Sequence, residues 1–157
     1  MNVPVLNVVL VEPEIPPNTG AVGRRCAATR ARLHLVEPLG FKIDDRALKR
    51  AGLDYWPHLD WRTWPNFETL QASGEGQGRY WFFTTKATRL YSEVAYAPGD
   101  FLVFGRESKG LPEALLATHP EGCVTVPILH PAVRSLNLST AVGIGLYEGL
   151  RQIGFGK

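Results

Sequence analysis

Short apolar runs rich in β-branched residues alternate with helical patterns from one end of the 157-residue chain to the other. Val5–Val11 (VLNVVLV), Leu33–Val36, Tyr80–Phe83, Phe101–Phe104 and Val124–Ile128 are each too short for a helix and lie between turn residues, so they predict strands. Helical spacing is predicted over Val22–Ala31, Asp44–Ala51 (with Asp44 or Asp45 as cap), Phe67–Ala72, Pro112–Ala117 and Asn137–Ile153. The rest of Tyr55–Gly78 reads as aromatic-rich and irregular. Strands separated by helices favour crossover connections over hairpins, which sets them parallel with helices on both faces. The expectation is an α/β fold, a mostly parallel sheet flanked by helices, in one domain spanning 1–157.

Composition narrows the class of partner. Lys and Arg number 17 against 15 Asp and Glu, a net charge of +2, which permits nucleic acid without demanding it. Cys26 and Cys123 are far apart and outside any CxxC pattern, so neither a zinc site nor a disulfide framework is expected, and a reduced cytoplasmic setting is. The apolar stretch at Val3–Val11 lacks a basic leader and runs into Glu12-Pro13-Glu14, which predicts a buried strand rather than a signal sequence. No apolar run approaches the roughly 18 residues of a membrane span, and no membrane partner is expected. His34, His58, His119 and His130 share no ligand spacing, so no metal is expected either.

Three loops follow predicted strands, where ligands gather in open parallel sheets. The first, Pro13 to Gly20, holds paired prolines, has Asn18 or Thr19 available to cap a helix, and leads into Arg24 and Arg25. The second, Gly105-Arg106-Glu107-Ser108-Lys109-Gly110, has the glycine spacing of a P-loop, but Leu111-Pro112 replaces the Lys-Ser/Thr that would hold phosphate and magnesium. What survives is a glycine-flanked turn presenting Glu107. The third, Val133 to Ser139, places Ser135, Asn137 and Ser139 where they can satisfy orphan N–H groups at the start of the last helix. In that helix Gly145 and Gly149 share a face and would let another helix approach closely. No G-x-S-x-G elbow accompanies these loops. Tyr55, Trp56, Trp61 and Trp64 could stack bases or pack in a core or dimer interface.

In this order the three loops resemble the motifs of the SPOUT superfamily of RNA methyltransferases. EPEIPPNTGAVGRRCAAT is similar to the first motif, LVFGRESKGLP to the second and VPILHPAVRSLNLSTAVGIGLYE to the third, so the likeness covers nearly the whole chain. HLVEPLGF followed by DDRALKRAGLDYW resembles the minimal branch, the tRNA wobble-position 2′-O-methyltransferases.

The resemblance implies a C-terminal deep trefoil knot, a homodimer, and S-adenosylmethionine lined by Phe83, Gly105, Val126, Ile128, Ser135 and Leu136. It implies that Arg24 acts on the 2′-OH, that Asn18 holds Arg24 or substrate, and that Glu107, Ser135 and Asn137 support cofactor and ribose. A guanidinium titrates above about 12, so Arg24 is expected to orient the hydroxyl and stabilise the alkoxide rather than act as a base. Of the basic clusters, Arg46, Lys49 and Arg50 are expected to track the phosphates of the tRNA anticodon stem, with Arg24 also meeting RNA. Methylation at another tRNA or ribosomal RNA position, and a non-catalytic RNA-binding knot protein, stand as alternatives.

Overall fold

The computed structural model describes residues 4–43, 46, 50 and 54–155. Six strands, β1 (Asn7–Val11), β2 (Arg32–Val36), β3 (Trp61–Trp64), β4 (Tyr80–Phe83), β5 (Phe101–Phe104) and β6 (Cys123–Val124), form one sheet in the order β3-β2-β1-β5-β4-β6. Every pairing is parallel. Four α-helices accompany them among the described residues: α1 (Pro16–Thr29), α2 (Phe67–Ala72), α3 (Glu113–Ala117) and α4 (Leu138–Ile153). The expected parallel α/β architecture is therefore present.

Period-2 alternation in the central strands splits the core in two. Val8, Leu10, Leu102 and Phe104 point to one face, where they meet Val22 and Cys26 of α1 and Val142, Leu146 and Leu150 of α4. Val9, Val11, Phe101 and Val103 point to the other, against Phe67 and Leu70 of α2 and Leu115 and Leu116 of α3. Strands buried on both faces read as continuous apolar runs, which is why β1 and β5 were legible. A polar chain crosses the sheet beneath them: Trp64 Nε1 donates to His34 Nδ1 (3.0 Å), which leaves His34 Nε2 to donate to Asn7 Oδ1 (2.9 Å), and Asn7 Nδ2 donates to the Gly99 carbonyl (3.2 Å). Burial pushes the His34 imidazole down to about 3.

Several boundaries differ from expectation. Helix α1 starts at Pro16 rather than Val22, because Pro16 and Pro17 occupy its first two positions, where a missing N–H costs nothing. Asn18 and Thr19 consequently lie inside the helix, and neither caps it; the N-cap is Ile15, with no side-chain cap bond. The segment predicted as irregular contains strand β3. The last strand is only Cys123–Val124, since Pro127 cannot donate to a ladder and the chain leaves the sheet before it. Pro112 is the N-cap of α3, not its first helical residue.

Gly145 and Gly149 do not receive a helix. A Cβ on Gly145 would lie 2.7 Å from the Phe83 ring, and one on Gly149 would lie 2.8 Å from Leu6, so both let α4 sit close on the sheet side. The predicted helix at 44–51, its caps and Lys49 lie outside the described residues, apart from Arg46 and Arg50, which are exposed. No helix of the described residues is long and apolar enough to cross a membrane.

Candidate active site

Strand order reverses between β1 and β5, and the crevice outside their carboxyl ends is where open α/β sheets bind ligands. There the chain leaves β1 through Glu12–Ile15 and leaves β5 through Gly105–Gly110. Two carboxylates tie the loops together in opposite directions. Glu107 accepts from the backbone N–H groups of Glu14 (2.9 Å) and Ile15 (3.1 Å), while Glu14 accepts from the N–H and Oγ of Ser108 (3.0 Å each). The bonds from Ser108 hold the Glu14 carboxyl below the usual carboxylate range.

The clamp continues into the two long helices. Asn18 Nδ2 donates to Glu107 (3.2 Å), and Asn18 Oδ1 accepts from Asn137 Nδ2 (3.2 Å). Asn137 caps α4 through its own Oδ1, which accepts from Thr140 N–H (3.2 Å) and Ser139 Oγ (2.8 Å). Asn18 is free for this role because α1 leaves it no capping work. Two of the first N–H groups are absent at prolines, and the Asn18 N–H goes to the Ile15 carbonyl (3.1 Å).

Beside the clamp lies a cleft of about 620 Å³ lined from four chain segments, 15–18, 83–86, 104–111 and 125–141. Its volume is in the range of pockets that enclose a drug-sized cofactor, roughly 300–1,000 Å³. Of the residues expected to line a cofactor pocket, Phe83, Gly105, Val126, Ile128, Ser135 and Leu136 all border it. So do Asn18, Glu107 and Asn137. Phe83 is stacked on Phe104 (centroids 4.5 Å, planes 23° apart), so its ring forms the floor.

Two expected roles change. Both oxygens of Glu107 are already engaged by protein donors, so Glu107 shapes the cleft rather than offering a free carboxylate. Asn18 does not hold Arg24. Six residues along an α-helix is about 240° of rotation, which turns Arg24 away from the side where Asn18 meets the clamp. Arg24 is exposed, borders no part of the cleft, and lies over the Tyr55 ring at 4.8 Å from the centroid.

Some lining residues were missed in the sequence. Thr84, Thr85 and Lys86 follow β4 directly, and the rule that found the other loops applies to them equally. Arg134, one residue before Ser135, also lines the cleft. Among the described residues no group of three or more His, Cys, Asp or Glu side chains is arranged to hold a metal ion.

Residues 5–147 match the SpoU rRNA Methylase family. The chain belongs to that family. Within it, the chain is 47% identical over 152 residues to a tRNA (cytidine(34)-2'-O)-methyltransferase of Aeromonas hydrophila, covering 96% of each chain. It is 45% identical, with a TM-score of 0.88 and 97% of each chain covered, to a solved structure concerned with the 2-OH methylation of C/U34 on tRNA. An AdoMet-bound rRNA methyltransferase from Sinorhizobium meliloti shares the fold, with 24% identity and a TM-score of 0.81 over 93% of this chain and 56% of that one. The matched span, 5–147, includes the three loops that border the cleft.

Proposed function

We propose that this protein methylates the ribose 2′-oxygen of nucleotide 34, C or U, in tRNA, using S-adenosylmethionine. The carrying observation is near-full-length identity of 45–47% to relatives named for that reaction, together with a cleft of fitting size at the strand-order reversal. The lining suits this cofactor: Val126, Ile128, Leu136 and Leu111 offer apolar walls to a purine, while backbone around Gly105 and Gly110 supplies polar edges. When bound, S-adenosylmethionine supplies an electrophilic methyl group on a sulfonium.

What the chain itself must provide is alignment, dryness and control of one proton. Alignment contributes up to about 7–11 kcal/mol in favourable cases, and the Glu107–Asn18–Asn137 bonds keep the cleft loops in register for it. Neutral hydroxyl and cationic sulfonium become neutral ether and thioether once the hydroxyl proton has left, so an apolar wall does not oppose the transfer. The Arg24 guanidinium donates to the 2′-oxygen and stabilises its developing negative charge; the hydroxyl proton passes to solvent or a neighbouring phosphate. Ser135, at the cleft wall, orients the cofactor or ribose.

The same reading takes the protein as a homodimer with a knotted C-terminal part. Arg24 lies off the cleft of its own chain, so the cleft it serves is that of a second copy. Leu129, Val133, Tyr147 and Phe155 are exposed apolar side chains that a second copy would cover. The knot would require residues 125–137 to pass through the loops that follow β4 and β5, and the shared cleft of Thr84–Lys86, Gly105–Gly110 and Val126–Asn137 supports that reading. Exposed Arg46 and Arg50, with Lys49, track anticodon-stem phosphates.

Methyl transfer from labelled S-adenosylmethionine to total tRNA, followed by nuclease digestion and mass mapping, tests the reaction and position together. A 2′-O-methyl group at nucleotide 34 is expected. Methylation elsewhere keeps the chemistry and discards the position, and cofactor binding without transfer to any RNA discards the enzyme.

A further inference from the structure

Tyr55 is used by neither the cleft nor the core, yet it is built into the outer face of α1. Its hydroxyl donates to the Gly20 carbonyl in the second turn of that helix, and its ring lies under the Arg24 guanidinium one turn later. The approach depends on a missing side chain: a Cβ on Gly23 would lie 3.2 Å from Trp56, 3.3 Å from Leu59 and 3.5 Å from the Tyr55 ring. The aromatic strip at 55–56 thus lies flat on α1 and ends beneath Arg24. Burial raises the Tyr55 hydroxyl above the ordinary phenol range, so it remains a neutral donor to Gly20 and offers no base.

We propose that Tyr55 is a positioning residue for the methyl transfer, a platform pinned to α1 at Gly20 that holds the Arg24 guanidinium facing outward, pre-aimed at the ribose 2′-oxygen in the second copy's cleft. This rests on the role given to Arg24 above. An arginine on a helix surface otherwise samples many rotamers, and each must be given up when the ribose arrives. A ring face beneath the guanidinium selects a subset in advance by cation–π attraction, without using the N–H donors at its edge. Platform and donor therefore act as one unit, with Tyr55 touching neither cofactor nor RNA.

The test compares Tyr55→Leu and Tyr55→Phe in the full-length protein with S-adenosylmethionine and tRNA. Tyr55→Leu is expected to lower kcat about tenfold, the upper-middle of what one cation–π contact supplies. It leaves the cofactor dissociation constant unchanged, and Tyr55→Phe, which keeps the ring, restores most of kcat. In an Arg24→Ala background, Tyr55→Leu changes kcat no further. The Arg24 Nε–H resonance, shifted upfield by the ring, moves back in Tyr55→Leu and stays in Tyr55→Phe. A purely structural Tyr55 would instead lower the thermal midpoint with kcat per folded enzyme intact, and that result overturns the proposal. Wild-type protein that transfers no methyl group to tRNA removes the Arg24 role and the proposal with it, although the resonance shift remains. Normal transfer that is indifferent to Tyr55→Leu overturns the platform alone.

Discussion

The two long helices that meet at the cleft begin in opposite ways. Helix α4 is capped by its own neighbour, Asn137, whose side chain accepts from the N–H three residues on. Helix α1 has no side-chain cap, two prolines in its first turn, and an entry loop whose N–H groups at Glu14 and Ile15 are taken by Glu107, 93 and 92 residues away. A locally capped helix start is stable wherever the fold puts it. A start completed from a distant loop is complete only when the two loops are correctly placed, so it couples helix entry to the shape of the cleft. Asn18 joins the two kinds, with one end on Glu107 and the other on Asn137.

Removing the distant partner should produce the largest effect. Glu107→Ala deletes three charge-assisted hydrogen bonds, two of them part-buried and one exposed, and denaturant titration is expected to show a loss of about 3 kcal/mol. Calorimetry should show S-adenosylmethionine affinity falling at least tenfold, on the order of 1.4 kcal/mol. Unchanged affinity in a folded Glu107→Ala protein would mean the loops keep their register without the clamp, and the contrast between the helix starts would lose its functional meaning.

Acid probes a region remote from both starts. His34 is depressed to about 3 in the folded protein from the ordinary 6.5, so the unfolded chain takes up the extra proton first. Its contribution is complete above about pH 6.5 and is lost as the pH falls towards 3, amounting to about 2 kcal/mol by pH 5. Stability measured between pH 7 and 5 should decline accordingly, and His34→Gln should flatten that decline whatever it does to the plateau.

Local capping is the third arm. Asn137→Ala should cost about 1 kcal/mol as a lost N-cap. Asn137→Asp keeps the cap acceptor but removes the donor to Asn18, so thermal stability should stay near wild type while methyl transfer slows. Wild-type methyl transfer by Asn137→Asp would show that the link to Asn18 does nothing beyond capping. The smallest effect is expected for Pro17→Ala, which restores an N–H at a position where it has no use; a loss of about 0.5 kcal/mol, arising in the unfolded chain, should appear in the thermal midpoint without any change in cofactor affinity.

These contrasts follow what was legible in the chain. Strands β1 and β5 stood out because burial on both faces leaves uninterrupted apolar runs, and the helix predicted at Phe67–Ala72 forms over those residues, with Asn66 as its local cap. Strand β3 was missed: Trp61-Arg62-Thr63-Trp64 is a half-exposed edge strand whose residues carry no apolar run. At the site, motif likeness put Phe83, Gly105, Val126, Ile128, Ser135 and Leu136 on a cofactor pocket and gave Asn18, Glu107 and Asn137 supporting roles; all nine border one cleft. Arg24 was grouped with Asn18 because they are six residues apart in one motif, whereas helical rotation sends them to different sides.

Much that is settled by spacing within a turn or a strand was available from the sequence alone: apolar runs dictate β1 and β5, crossover lengths dictate parallel pairing, and Ser135, Asn137 and Ser139 mark the start of the last helix, which Asn137 caps. Such partners are held at a fixed distance by the covalent chain, so residue order decides them. The Glu107 clamp, the freedom of Asn18 and the seat of Arg24 on Tyr55 are different in kind. They join residues separated by 31 to 119 positions only because β1 lies beside β5, α1 lies beside α4 and the Tyr55–His58 segment lies on α1, and those adjacencies are properties of the whole packed fold.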